Sequence, residues 1–80
     1  NLDEAFISIY PNPSRDEIYI KSSLNLKNVK YNIYDNLGRK IFTKEKTLEG
    51  NMINIRTLPK GLYMLNVKGD INKSFRFLKL

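Results

Sequence analysis

The side chains that could do chemistry in this chain make a short inventory. It holds eight carboxylic acids, five serines, fourteen lysines and arginines and five tyrosines, with no histidine and no cysteine. Lacking histidine, the chain lacks the commonest general base and transition-metal ligand near neutral pH. Nucleophilic catalysis would then need a serine–lysine or carboxylate scheme. Ser8, Ser14, Ser22, Ser23 and Ser74 fall in strand-like or turn-like stretches, and none sits in a nucleophile motif. Asp16 and Glu17 are adjacent, so in a strand they point to opposite faces and cannot share a substrate. Asp3 and Glu4 belong to a polar N-terminal stretch. A calcium loop needs several oxygen ligands at alternating spacing, and "DNLG" (35–38) supplies only Asp35 and Asn36, which a hairpin turn explains. The expectation is that the chain is not an enzyme and has no catalytic residue, metal site or cofactor.

Binding is the remaining chemistry. Net charge is +6 and unevenly placed: residues 1–20 hold four acids against one base, and the other sixty hold thirteen bases against four acids. A basic surface favours acidic partners, but here the charges are spread singly along strands rather than clustered, as on a solvated sheet. Tyr19 and Tyr34, flanked by Lys21 and Lys30, could stack single-stranded bases in a basic groove. Cross-strand pairing of outward tyrosines explains them as well, and no RRM, KH or zinc-finger motif is present. Sugar-binding modules lean on tryptophan, and there is none. Neither nucleic acid nor a small-molecule substrate is expected as a partner.

The elements that must position these groups follow a period of two, with little helical periodicity. "FISIY" (6–10) reads as a first strand closed by "PNPS", and "EIYIK" (17–21) sets Ile18 and Ile20 on one face. "VKYNIYD" (29–35) puts Val29, Tyr31 and Ile33 inward and Lys30, Asn32 and Tyr34 outward. "RKIFTK" (39–44) reads as the fourth strand and "MINI" (52–55) as the fifth, with Ile53 and Ile55 inward. "LYMLNVK" (62–68) aligns Tyr63, Leu65 and Val67, and "KSFRFLKL" (73–80) closes the chain with Phe75 and Phe77 inward. Seven short strands at this spacing predict a β-sandwich or small barrel.

The turns carry their own signals. In "DNLGRK", Asp35 can bond the turn backbone and Gly38 can take a positive φ. Gly69 marks a hairpin at 68–70, "EGN" (49–51) marks another turn, and "LPKG" (58–61) pre-sets the sixth strand with Pro59 and Gly61. Pro11 and Pro13 bracket Asn12 in a stiff, donor-poor exit from strand one, which belongs at an edge or a crossover between sheets.

Eighty residues suffice for one domain with a thin core. No apolar run approaches the ~20 residues of a membrane-spanning helix. The chain starts at Asn1 rather than methionine, so a piece of a longer polypeptide is expected. Residues 1–5 read as a linker remnant and 6–80 as the domain.

Four stretches taken together carry a resemblance: "ISIYPNPSRDEIYI", "YNIYDNLGRKIF", "LPKGLYMLNV" and a lysine-containing strand at the very end. The chain resembles the type A C-terminal sorting domains of the type IX secretion system of Bacteroidetes. The matching positions are Pro11, Asn12 and Pro13, the hairpin residues Asp35 and Gly38, the Gly-x-Tyr pair Gly61 and Tyr63, and Lys79 with its neighbours. The chain departs from the pattern in ending on Leu80 rather than on a polar or basic residue. The resemblance implies an all-β, seven-stranded antiparallel immunoglobulin-like β-sandwich attached behind an N-terminal cargo domain. It also implies transit through the periplasm, recognition by an outer-membrane translocon and shuttle protein, and removal by a sortase-like peptidase, leaving the cargo at the cell surface or secreted. On this reading Phe75, Arg76, Phe77, Leu78, Lys79 and Leu80 are the recognition strand, with Lys79 aimed at an acidic partner. The alternative is an adhesive or carbohydrate-binding β-sandwich module of a surface protein.

Overall fold

The computed structural model describes residues 6–23, 25–69 and 72–80. Its strands are β1 (Ile7–Tyr10), β2 (Glu17–Ser22), β3 (Lys30–Asp35), β4 (Lys46–Thr47), β5 (Met52–Asn54), β6 (Gly61–Lys68) and β7 (Lys73–Lys79). They form two antiparallel sheets, one ordered β1-β2-β5 and the other β4-β3-β6-β7. Because β5 returns to β2 and β6 returns to β3, the chain crosses between sheets as an immunoglobulin-like sandwich does. Alternation fills the space between them: Ile18, Ile20 and Ile53 from one sheet meet Ile33, Leu65, Val67 and Phe77 from the other, all essentially without exposure. Ile55, just past β5, joins them. The proposed linker at 1–5, and Asp70 of the last hairpin, lie outside the described residues.

Tyr63 supplies a further signature of this architecture. It sits near the start of β6, buried, and its hydroxyl donates to the Pro59 carbonyl at 2.6 Å, four residues back. This is the tyrosine corner that fixes a β-arch as the chain changes sheets. Gly61, between the two, has φ near +151°, which side-chain-bearing residues rarely adopt. The Tyr63 ring then stacks on Phe77 with centroids 5.6 Å apart, tying the corner to the last strand.

Two expectations need correction. "RKIFTK" is not a strand, since 41–44 form bends and the fourth strand is the two-residue β4. After the turn the chain starts as a regular hairpin, with Tyr34 facing Lys40 and the Ile41 amide donating to the Ile33 carbonyl at 2.7 Å. A continuing ladder would put Tyr31 opposite Thr43, yet its partner is Lys46, three residues further on. The extra residues loop out so that Phe42 can turn edge-on to Tyr31, with ring centroids 6.2 Å apart.

Asn32 is the second correction. It is not an outward residue but a buried one, at 3% exposure. Its side chain fills the gap left by the departing loop. Oδ1 accepts from the Ile33 amide at 2.8 Å and the Phe42 amide at 3.3 Å, while Nδ2 donates to the Phe42 carbonyl at 3.0 Å. The side-chain amide thus stands in for a peptide unit of the missing strand.

Candidate functional site

β7 is the outermost strand of the four-stranded sheet. Its register against β6 pairs Phe75 with Leu65, Phe77 with Tyr63, Leu78 with Leu62 and Lys79 with Gly61. Phe77 is buried and Phe75 packs against the core, whereas Arg76, Leu78 and Leu80 are exposed. Lys79 shares the parity of the two phenylalanines and is buried at 7% exposure. Its Nζ donates to the Leu80 carbonyl at 2.9 Å. Lys79 is therefore not aimed at a partner; the exposed basic side chains of this strand are Arg76 and, at its start, Lys73, whose Nζ lies over the Phe75 ring.

The edge of β7 is partly covered, and the cover comes from the proline segment. The Ser14 amide donates to the Leu78 carbonyl at 2.9 Å and the Leu80 amide returns a bond to Ser14 at 2.8 Å, a parallel bridge. Asn12 extends it: Nδ2 donates to the Arg76 carbonyl at 3.0 Å, and the Leu78 amide donates to Oδ1 at 3.1 Å. Ser14 is itself buried, with its hydroxyl bonded to the Pro11 carbonyl. Both prolines follow cis peptide bonds. Pro11 and Pro13 have no N–H to offer, so only Asn12 and Ser14 do the pairing. Since Leu78 points its backbone groups away from β6, so by alternation do Ser74 and Arg76. Among the described residues, no partner extends past the Arg76 carbonyl to the outward groups of Ser74 and the Arg76 amide.

The remaining motif positions also have structural tasks. Asp35 Oδ1 accepts from the Leu37 and Arg39 amides, each at 2.9 Å, and Oδ2 accepts from Arg39 Nε at 2.8 Å. The Arg39 amide leads these contacts in holding the Asp35 carboxyl below its ordinary range, against an opposing contribution from partial desolvation. Gly38, at φ +84°, lets the turn close. Tyr19 pairs across strands, its ring stacked on Tyr10 with centroids 5.5 Å apart. Its hydroxyl points to Glu17 at 3.3 Å, and the neighbouring carboxylate is the main cause of its raised pKa. One face of that ring is already taken. Tyr34 lies half-buried opposite Met64.

Residues 8–78 match the family described as Secretion system C-terminal sorting domain. The chain belongs to this family. A comparison with curated proteins gives no match. As a type IX sorting domain, the chain is a C-terminal signal that works with the type IX machinery and leads an attached cargo protein across the outer membrane, to the cell surface or beyond. Sorting domains of this kind are non-catalytic in general. The sandwich is the immunoglobulin-like one the resemblance implies. Sequence reasoning missed two parts of this sorting domain: the Asn12–Ser14 cover on β7, and the exposed apolar side chains outside β6. The second had a signal, because in "LYMLNVK" Leu62 and Met64 are apolar on the face opposite Tyr63, Leu65 and Val67.

Proposed function

We propose that this sorting domain is read by the outer-membrane translocon and its shuttle protein through the last strand and its end: Phe75, Arg76, Phe77, Leu78, Lys79 and Leu80. Residues 6–80 form the signal and 1–5 the remnant of a linker to the cargo. The cargo reaches the periplasm on its own signal, the folded domain is engaged there, and a sortase-like peptidase removes it after export. Phe77 and Lys79 act from within by fixing the strand, while Arg76, Leu78 and Leu80 face the partner. The observation that supports this most directly is the position of β7 at a sheet edge with the Ser74 groups and the Arg76 amide uncovered. Such an edge accepts a strand from another protein, with backbone bonds giving affinity and side chains giving selectivity.

The test places residues 1–80 behind a reporter with an ordinary export signal in a bacterium that has the type IX system. The intact fusion is expected outside the cell, and a fusion lacking 75–80 is expected in the periplasm. That deletion also takes Phe77 from the core, so Arg76→Pro is the sharper variant. Proline is tolerated at an edge whose N–H faces outward, and it removes the donor a partner strand would use. Loss of export with the fold intact by circular dichroism, and beyond that of Arg76→Ala, which removes the side chain but keeps the N–H, supports strand pairing. Normal export of a folded Arg76→Pro fusion excludes it.

A further inference from the structure

The outer face of the four-stranded sheet carries an apolar patch that the fold does not need. Alternation in β6 leaves Leu62 at 59% and Met64 at 38% exposure, and β7 sets Leu78, at 36%, directly opposite Leu62. Leu80, at 45%, continues the row. Further along the same face, beyond the Met64–Arg76 pair, the cross-strand pair is polar, with Asn66 Nδ2 donating to Ser74 Oγ at 2.9 Å. The apolar character is thus confined to the end of the sheet that holds the C-terminal residues.

Two open depressions meet at the Leu62–Leu78 pair. One, about 390 Å³, runs from Leu62 over Met64 and Arg76 to the turn at Asp35 and Gly38. The other, about 550 Å³, is lined by Leu78, Leu80, Arg15 and Lys60. Their rims are basic. Ion pairs among the described residues join Arg39 to Asp35 and Lys68 to Glu45, and neither involves Arg76, Arg15 or Lys60. Asp35 is the one carboxylate side chain lining either depression, and its oxygens are bound to the turn amides and Arg39. Charge complementarity therefore asks for carboxylates from outside.

We infer that this patch is a docking surface for an acidic segment of a partner protein bearing apolar side chains, with Leu62 and Leu78 as its centre and Arg76 as the chief ion-pairing group. The inference rests on the sorting reading and names the chemistry of the partner. A second copy of this chain would bring the same arginines and lysines face to face. A lipid surface would make no use of the uncovered Ser74 and Arg76 backbone groups next to the patch, which a peptide can pair with.

The test uses the same reporter fusion with three changes: Arg76→Glu, the double variant Leu62→Ser with Met64→Ser, and Lys21→Glu. Lys21 lies on the other sheet and carries the same charge change as a control. Being at the surface, all three should melt within about 4 °C of the unaltered domain. Export should fall about ten-fold or more for the first two, as when a central contact is lost, with reporter accumulating in the periplasm, and should hold for Lys21→Glu.

Folded patch variants exported within about two-fold of the unaltered fusion overturn the docking surface alone. If the unaltered fusion is not exported, the sorting reading falls and this inference falls with it. Two measurements on the purified domain address the other occupants. Binding to vesicles of phosphatidylcholine and phosphatidylglycerol that Arg76→Glu abolishes would assign the patch to a membrane. Self-association by sedimentation velocity that the double variant abolishes would assign it to a second copy. Either result replaces the acidic protein partner.

Discussion

Asn32→Ala deletes the amide that substitutes for a peptide unit beside β3. Three backbone groups lose their partner at once: the Ile33 amide and both the amide and carbonyl of Phe42. Leaving a buried polar group unpaired costs about 1–3 kcal/mol. Because Phe42 is only half-buried, water can reach part of the site, and the low end applies, giving about 3 kcal/mol in all. A domain of this size has a total stability of roughly 4–12 kcal/mol. The loss therefore corresponds to a fall in Tm of roughly 12–24 °C, readable by thermal circular dichroism.

Asn32→Asp sharpens the test. Its carboxylate could still accept from the Ile33 and Phe42 amides, but it would face the Phe42 carbonyl oxygen without a proton to donate. Burial and that contact should raise the folded-state pKa above the unfolded value of about 3.9. The folded state then holds the proton more tightly, so stability falls as pH rises from the unfolded through the folded pKa. The Asp variant should lie nearest the natural domain at about pH 4 and furthest from it near pH 7. An Asn32→Ala domain melting within about 4 °C of the natural one, or an Asp variant with no such pH trend, would refute the surrogate-peptide account of this residue.

Other outcomes follow from the same geometry. Asp35, with its pKa held below the ordinary 3.8, contributes stability that is full above that value and lost as pH falls through the depressed folded pKa; thermal melts between about pH 2 and 6 should show this, and Asp35→Asn should flatten it. Tyr63→Phe keeps the ring stack on Phe77 and removes only the bond to the Pro59 carbonyl, costing about 1 kcal/mol or roughly 4–8 °C in Tm. Asn12→Ala removes two bonds to an exposed strand edge, so global stability should change by less than about 1 kcal/mol while hydrogen exchange at the Leu78 amide quickens locally.

Burial parity was legible wherever one residue type dominated a face. Ile18 and Ile20 of β2, Ile53 and Ile55 around β5, and Tyr63, Leu65 and Val67 of β6 all lie where alternation puts them. The Asp35–Gly38 turn was legible for a local reason, since its bonds join residues at most four apart. Asn32 was not, because a polar residue on the alternate positions of a strand reads as outward unless something covers it. What covers it is the loop at 41–44, whose own composition favours a strand although the adjacent Ile41 and Phe42 break strict alternation. Lys79 shows the opposite conflict: parity with Phe77 places it inside, and charge argues for outside. Packing won, with Nζ finding the Leu80 carbonyl. For the candidate site, the strand and its motif positions were readable, but its edge cover joins residues 64 and 66 apart, a separation no local pattern encodes.

The parallel contact of Ser14 with the end of β7 also determines how the domain bears tension. Pulled by its two ends, the segment at 12–14 is drawn one way along the contact and the segment at 76–80 the other. Four hydrogen bonds, from Asn12 and Ser14 to Arg76, Leu78 and Leu80, then carry the load together in shear instead of opening one after another like a zip. A cargo dragged by this domain would be held by a clasp that resists its own direction of travel. The same clasp would part easily under a sideways peel that lifts the proline segment away, which makes the direction of force, as well as its size, the determinant of release.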